Sequence, residues 1–148
     1  IIRNHRLWEV FLVQKLRFNW DEVHEIAEEL EHITHHQLIN RLDEFLGFPA
    51  FDPHGDPIPS ANGEIQPAQH VPLHDLQVNE KGLVAGVKES SNSLLQYLDK
   101  IGLKIGSACF VVEHIAFDNS VEILIEKDKK VIISREVARN VLISPQAN

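Results

Sequence analysis

Proline restricts this chain more than any other residue type, because six of its seven prolines lie between residues 49 and 72. Proline lacks a backbone N–H and holds φ at about −65°, so this stretch cannot form a long helix or a central strand. The sequence therefore predicts a proline-rich linker over residues 51–75. We expect a helical domain over residues 1–50 and a β-rich domain over residues 76–148.

The first part of the chain shows the spacing of three amphipathic helices. The first, over residues 3–17, is apolar on most sides and has to be covered on most sides, which predicts a partner chain and a homodimer. Asn19 is expected to cap the second helix, and Thr34 to cap the third, which ends at Gly47. Four apolar residues are expected at the centre of the dimer interface: Leu7, Trp8, Phe11 and Leu12.

Beyond Leu76 the pattern changes to short runs of alternating apolar and polar residues, interrupted by one helix over residues 92–101. Five short strands within about 70 residues predict a small barrel of the SH3-like type. The expected fold class is α+β and multidomain, with a helical domain followed by a small β-barrel. The strands are expected at residues 82–88, 108–117, 121–127, 130–134 and 140–143.

The composition of the chain restricts its cellular compartment and the classes of partner that it can bind. The net charge of −8 and the lack of a Lys and Arg cluster indicate that this chain alone does not bind DNA. A single cysteine, Cys109, fits a reducing cytosol, and no apolar run reaches the roughly 18–20 residues of a membrane helix. The start at Ile1 and the absence of methionine predict a fragment or a processed chain.

Imidazole and carboxylate side chains recur at helical spacing in the first two predicted helices. The six residues are His5, Glu9, His24, Glu28, Glu31 and His32. If the two helices pack side by side, these groups converge, and their donor atoms suit Mn²⁺, Fe²⁺, Co²⁺ and Zn²⁺. Six donors could serve one octahedral ion or two neighbouring ions. The same residues also fit a solvated polar face, and the spacing alone leaves both interpretations open.

Five segments resemble a known family of proteins. Residues 3–12, 23–33 and 51–59 resemble the dimerisation domain of the diphtheria toxin repressor and manganese transport regulator family, in RNHRLWEVFL, VHEIAEELEHI and FDPHGDPIP. Residues 80–87 and 98–107 resemble the FeoA-like, SH3-like C-terminal domain of that family, in EKGLVAGV and LDKIGLKIGS. The resemblance implies a cytoplasmic bacterial transcriptional repressor that is activated by a metal and is not an enzyme.

The resemblance implies that His5, Glu9 and His24 form the ancillary metal site of the family. In some members the SH3-like domain adds a carboxylate and an amide to this site. Glu89 and Asn92 are the candidates for these two ligands here.

The resemblance also implies that Glu28, Glu31 and His32 are the protein part of the primary, activating metal site. Iron-sensing members have a cysteine where this chain has Glu28. A hard oxygen ligand in place of a soft thiolate favours Mn²⁺, with Fe²⁺ next, and Zn²⁺, Co²⁺ or Ni²⁺ could substitute in vitro.

The family reads operator DNA with an N-terminal winged helix-turn-helix, which also completes the primary site. No counterpart of that domain is found from Ile1 onward. We therefore expect this chain to be the metal-sensing and dimerisation portion of a Mn- or Fe-dependent repressor of metal-ion homeostasis, with operator DNA contacted only through the missing domain. We also expect the proline-rich linker to dock on the SH3-like domain.

Two other classes of protein remain open. One is a protein-interaction adaptor built on the FeoA-like barrel, with the helices acting only in dimerisation. The other is a carboxylate-bridged di-metal enzyme, because Glu29 and His32 have the Glu-x-x-His spacing of ferritin-like bundles. That fold needs four long helices and usually a second such motif, whereas three shorter helices are expected here.

Overall fold

A computed structural model describes residues 1–65 and 70–146. The chain divides into two compact units, Ile1–Ala68 and Gln69–Asn148. The first unit is helical and the second is built on an antiparallel sheet, so the predicted α+β class is confirmed. The first unit contains α1 (Ile2–Gln14), α2 (Val23–Leu30) and α3 (His36–Phe45).

A small apolar core holds the first unit together. Leu7 of α1 packs with Ile39 and Leu42 of α3, and Trp8 and Phe11 pack against this cluster while remaining partly exposed. Leu7 is 0% exposed and Leu12 is 3% exposed. These two members of the predicted dimer interface therefore fill the core of their own unit and have no surface left for a partner.

The ends of the helices differ from the prediction for local reasons. Asn19 is not the N-cap of α2, because that helix begins at Val23 with Glu22 as its N-cap. The Glu22 carboxylate still accepts the Asn19 N–H at 3.0 Å, which is one of the two bonds of a capping box. Helix α3 is capped by His35 instead of Thr34, with the Nδ1 atom of His35 accepting the N–H of Leu38. Since α2 ends at Leu30, the predicted ligands Glu31 and His32 lie just beyond the helix.

The expected linker over residues 51–75 is structured at both of its ends. Phe51 and Pro57 form an isolated β-bridge, and Ile58 packs against the α1–α3 core. At the other end Val71–Pro72 pairs with the last strand of the sheet. Residues 66–69 lie outside the described part of the chain.

The second unit is a six-stranded antiparallel sheet, whose strands are numbered in chain order with the ranges given at the end of this paragraph. Across the sheet the strands lie in the order β1-β6-β2-β3-β4-β5. The prediction contained five strands and missed β1, which has only two residues, and the six-residue helix α5 before the last strand. The predicted strand over residues 108–117 stops earlier, because Ile115 and Ser120 close a turn around Asn119, which has a φ of 61°. The elements are β1 (Val71–Pro72), a 3-10 turn (Leu73–Asp75), β2 (Lys81–Val87), α4 (Asn92–Ile101), β3 (Ala108–His114), β4 (Val121–Ile125), β5 (Lys129–Ile133), α5 (Arg135–Asn140) and β6 (Val141–Gln146).

The core of the second unit draws its residues from the strands and from α4. It contains alternate residues of the strands together with the buried side of the helix, as expected for a sheet with one buried face. Its fully buried residues include Val84, Leu95, Leu98, Leu103, Val111, Ile123 and Ile143. Among the described residues no helix combines the length and the apolar character needed to cross a membrane.

Gly82 allows β2 and β6 to approach closely. A Cβ atom there would lie 2.3 Å from Cγ2 of Ile143 and 2.6 Å from the backbone oxygen of Ser144. Because the backbone cannot move aside cheaply, we expect Gly82→Ala to lower the free energy of unfolding by about 1–3 kcal/mol. Urea unfolding followed by circular dichroism measures this, and a variant as stable as the wild type would contradict the described pairing of β2 with β6.

Candidate metal centre

Two helices of the first unit bring three predicted ligands together. His5 and Glu9 are one turn apart on α1, and His24 faces them from α2. The Oε2 atom of Glu9 lies 3.4 Å from Nε2 of His5 and 3.9 Å from Nδ1 of His24. One ligand atom from each of the three residues fits within a 4.8 Å span, so the predicted ancillary group is close enough to hold a metal ion.

A loop after α3 brings two further candidate ligands, Asp52 and His54, to the carboxylate of Glu9. The Oδ1 atom of Asp52 accepts the backbone N–H groups of His54 at 3.0 Å and of Asp56 at 2.7 Å. These bonds close a tight turn and fix the direction of the His54 ring. Its Nδ1 atom lies 3.4 Å from Oε2 of Glu9 and 3.8 Å from Oδ2 of Asp52. Glu9, Asp52 and His54 thus form a second group of ligand atoms within 4.8 Å.

Trp20 fixes which nitrogen of His54 carries the proton. The backbone oxygen of Trp20 lies 2.6 Å from Nε2 of His54, and the two rings stack at 6.4 Å. A carbonyl oxygen only accepts, so Nε2 carries a hydrogen, and Nδ1 is the nitrogen of His54 that an ion beside Glu9 could bind. A ring held in this way by a carbonyl group is typical of histidines that bind metals.

Burial places a proton on Glu9 in the absence of a cation. Its side chain is 2% exposed, and this burial, together with the hydrogen bond and negative charge of Asp52, raises the pKa of Glu9 to about 10. Burial alone would also raise the pKa of Asp52, but hydrogen bonds from His54 and Glu9 outweigh it and lower that pKa. Asp52 therefore carries the negative charge and Glu9 keeps the proton.

The imidazole groups around Glu9 have different environments. Burial and the neighbouring His24 lower the pKa of His5, which keeps that ring neutral and able to bind a metal. Burial also opposes the charged form of His54, but the Asp52 carboxylate and the Trp20 carbonyl outweigh it and raise the pKa of that ring. His24 is the most open of the three, with its side chain 63% exposed.

The donor set fits a divalent first-row metal ion. Three imidazole nitrogens and two carboxylates match the ligands that Mn²⁺, Fe²⁺ and Zn²⁺ take in proteins, and no thiolate is among them. Asp56 adds a third carboxyl group beside Glu9 and Asp52, and the positive charge of Arg6 acts on both Glu9 and Asp56.

The predicted primary group is less compact. Oε1 of Glu28 lies 2.9 Å from Nε2 of His24, Oε1 of Glu31 lies 3.6 Å from Nδ1 of His5, and His32 is exposed. Among the described residues no group of three ligand atoms within 4.8 Å includes any of Glu28, Glu31 and His32. Their role as ligands of a separate ion stays a prediction.

The other two predicted ligands lie in the second unit. Glu89 follows β2, and Asn92 is the first residue of α4, and both are exposed. Their assignment to the ancillary site stays a prediction. Cys109 is a core residue of the sheet, and its burial raises the pKa of its thiol to about 12.

The contributions of Asp52, His54 and Trp20 were not predicted from the sequence. The proline-rich stretch was expected to be a linker, and His54 is one of several scattered histidines. The available signal is the Asp-Pro-His-Gly-Asp segment, which places an acid and an imidazole two residues apart among turn-forming residues. Spacing of this kind predicts a rigid turn, but it does not reveal which distant carboxylate that turn faces.

Each of the two units matches the model of a known domain family. Residues 1–60 match the family model of the iron dependent repressor, metal binding and dimerisation domain, and residues 71–145 match the FeoA domain. A manganese-dependent transcriptional repressor solved in complex with manganese has a TM-score of 0.85 and 34% identity, over 98% of this chain and 69% of that one. This chain belongs to the family of metal-dependent transcriptional repressors. The resemblance found in the sequence is thereby confirmed.

Curated relatives of this repressor-family chain match its helical unit. The iron-dependent repressor IdeR of Mycobacterium tuberculosis is 39% identical over 59 residues, which are 40% of this chain and 26% of that protein. A probable metal transport system membrane protein of Chlamydia trachomatis is 48% identical over 59 residues, which are 40% of this chain and 13% of that protein. The matched segment is thus a minor part of both relatives.

The raised pKa of Glu9 predicts that metal binding depends on pH. Between pH 6 and 8 an incoming ion has to displace the Glu9 proton, so a higher pH favours the ion. We expect the affinity for Mn²⁺ to rise by about tenfold or more per pH unit, with at least about one proton released per ion. Titration calorimetry in buffers of different ionisation enthalpy measures both quantities. An affinity that does not change over this range would contradict a protonated Glu9.

Proposed function

We propose that the first unit is the metal-sensing and dimerisation unit of a manganese- or iron-dependent repressor, and that one divalent ion binds at Glu9. The observation that carries this proposal is the convergence of three imidazoles on Oε2 of Glu9 from three separate segments: α1, α2 and the loop after α3. An ion held by these groups would connect the three segments.

The chain's own residues explain how metal binding could change its state. Without a cation, Glu9 has to keep a proton and the neighbouring carboxylates of Asp52 and Asp56 repel one another. A bound ion supplies positive charge, so Glu9 can give up its proton and the Asp52–His54 turn is held against α1. The ion therefore favours one arrangement of the helices, which is a shift of population driven by a ligand.

We assign operator DNA binding in the intact repressor to its winged-helix domain, since residues 1–148 carry a net charge of −8. The dimer would hold two such domains at the spacing of two operator half-sites. The repressor would thereby control the import or storage of the metal that it binds.

The donor chemistry favours Mn²⁺, with Fe²⁺ next. Every member of the two compact ligand groups is an imidazole or a carboxylate, and the one thiol, at Cys109, is buried with a raised pKa. A solved relative carries manganese, whereas IdeR is named as iron-dependent. The two ions prefer similar ligands, so the concentration of each ion in the cell also decides occupancy.

Two substitutions test the site directly. His54→Ala removes a ligand from the loop, and Glu9→Gln removes the central carboxylate, so we expect each to weaken Mn²⁺ binding by more than about tenfold. His36→Ala, an exposed histidine at the start of α3, is the matched control and should bind as the wild type does. Titration calorimetry gives the affinities. A folded dimer that shows no Mn²⁺, Fe²⁺ or Zn²⁺ binding would instead favour the adaptor built on the FeoA domain.

The dimer surface is proposed from the apolar residues that the first unit leaves exposed. Phe45 at the end of α3 is 62% exposed and Phe48 is 67% exposed, while Ile1 and Ile2 at the start of α1 are 73% and 54% exposed. Large apolar side chains that remain exposed in this way are candidates for an interaction site. Together with the partly exposed Trp8 and Phe11, these residues replace the buried Leu7 and Leu12 at the centre of the proposed interface.

We expect Phe45→Glu to convert the dimer to a monomer, because it places a charge in an apolar interface. Sedimentation at tens of micromolar measures this. Phe117→Glu is the matched control, since Phe117 is 97% exposed but lies in the second unit. A wild-type chain that sediments as a monomer, or a Phe45→Glu variant that remains a dimer, would contradict the proposed surface.

A further inference from the structure

Strand β5 (Lys129–Ile133) forms one edge of the sheet in the second unit. It pairs with β4 on one side, and no strand that the structure describes pairs with its other side. Helix α5 follows β5 in the chain but packs against β1, β6 and the 3-10 turn, toward the opposite edge. An edge strand with one open side offers backbone groups to which a further strand can bind.

Backbone hydrogen bonds at the two ends of β4 show which of its residues face β5. The N–H of Ile115 donates to the oxygen of Ser120 at 2.9 Å, just before β4 begins. The N–H of Glu126 donates to the oxygen of Ala108 at 3.0 Å, just after β4 ends. Ser120 and Glu126 therefore both direct these groups toward the β3 side. Because backbone groups alternate in direction along a strand, residues 121, 123 and 125 direct theirs toward β5.

The register of β4 with β5 then identifies the open backbone groups of β5. Residues 121, 123 and 125 lie opposite Ile133, Val131 and Lys129, whose backbone groups are used in the pairing of β5 with β4. Lys130 and Ile132 alternate with these residues, so their N–H and C=O groups point away from the sheet. Each of the two residues thus offers one donor and one acceptor to an added strand.

The same edge carries a surplus of positive charge in an acidic chain. Residues 127–135 contain four of the 14 Lys and Arg residues and a single carboxylate, whereas the whole chain has a net charge of −8. The Nζ atom of Lys129 donates to the backbone oxygen of Ile101 at 2.8 Å, while Lys127 and Lys130 are exposed. This charge favours an acidic occupant and opposes the pairing of two copies of β5.

Side chains on the outer face of β5, opposite to the buried Ile133, define the sequence that such an occupant needs. Lys130 and Ile132 are two residues apart, so both point to this face, and Ile132 is 55% exposed. In an antiparallel added strand, the residue opposite Ile132 comes two positions before the residue opposite Lys130. An apolar residue followed two positions later by Glu or Asp therefore fits both side chains.

We propose that the β5 edge, formed by Lys130 and Ile132 with the neighbouring Lys127, binds an extended acidic segment of a partner protein. The segment adds to the sheet as an antiparallel strand, which backbone hydrogen bonds hold and which its apolar and acidic side chains select. The proline-rich linker of this chain is a poor occupant, because its prolines lack the N–H groups of a pairing strand. The site does not require an ion at Glu9, so it adds a partner to the proposed function without depending on it.

An NMR titration of the nitrogen-labelled chain with the capped peptide Thr-Thr-Val-Thr-Glu-Thr-Thr tests the site. We expect saturable shifts at the amides of Lys130 and Ile132, and slower exchange of their hydrogens with solvent, because both N–H groups become hydrogen-bonded. The exchange of Lys129 and Val131 should change less, since their N–H groups already bond to β4. A peptide with Lys in place of Glu should bind at least about threefold more weakly.

Methylated peptides distinguish the addition of a strand from simple attraction between charges. In the added strand the N–H groups of Val and Glu face β5, whereas the N–H of the Thr between them points away. N-methylation of both Val and Glu should therefore abolish the shifts, and N-methylation of that Thr should preserve them.

An exchange of charges tests the role of Lys130 itself. Lys130→Glu should weaken binding of the Glu peptide by at least about threefold and should favour the Lys peptide instead. Lys88→Glu is the matched control and should bind as the wild type does, because Lys88 is exposed and follows β2, which lies three strands away from β5. Unchanged positions of the other amide signals show that each variant is folded.

Four results would each overturn the proposal. The first is an absence of shifts at about 5 mM peptide, where a site with a Kd of about 1 mM is mostly filled. The second is binding that survives N-methylation of Val and Glu, and the third is equal affinity for the Lys peptide. The fourth is a shift of Lys130 and Ile132 with the concentration of the chain alone, measured in the Phe45→Glu variant, because it would place a second copy on the β5 edge.

Discussion

The burial of Glu9 is the constraint on which the first unit depends. A carboxyl group that is 2% exposed, with Asp52 and Asp56 beside it, costs free energy unless a proton or a cation compensates it. In the metal-free chain a proton on Glu9 does so, and His5, His24 and His54 supply nitrogen atoms around it. Helix α1 therefore carries a group whose charge state depends on whether a cation is present.

The loop after α3 shows how the fold and the site use the same residues. Asp52 closes its own turn with backbone hydrogen bonds, and that turn directs His54 to Glu9. The carbonyl of Trp20 holds the far side of the same ring, while Arg6 donates to the carbonyl of Pro57. These contacts direct the His54 ring toward Glu9, which lowers the conformational entropy that this one ligand loses when an ion binds.

The features that were predicted correctly from the sequence depend on residues only a few positions apart. The four-residue interval of His5 and Glu9, and the helical stripe through His24, were enough to select three residues whose ligand atoms lie close together in the structure. Alternation of apolar residues located strands β2 to β6 to within a few residues, and the helix expected over residues 92–101 is α4, which ends at Gly102 with a φ of 90°. These features depend on neighbours a few residues apart, whose geometry is set by the helix or the strand itself.

Features that depend on distant contacts could not be predicted in this way. His54 joins Glu9 only because the chain folds back after α3, and nothing in the spacing of the proline-rich segment shows that. Leu7 and Leu12 were expected at a partner surface, but they are covered by their own unit. The two-residue strand β1 is fixed by its pairing with β6 and carries no periodicity of its own.

The position of a bound ion is the most direct test of a metal site centred on Glu9. Anomalous diffraction from a crystal of the chain grown with Mn²⁺ locates the manganese from its own scattering. We predict a strong peak within bonding distance of the Glu9 carboxylate, Nδ1 of His54 and Nε2 of His5. A peak among Glu28, Glu31 and His32, with none at Glu9, would contradict a site centred on Glu9.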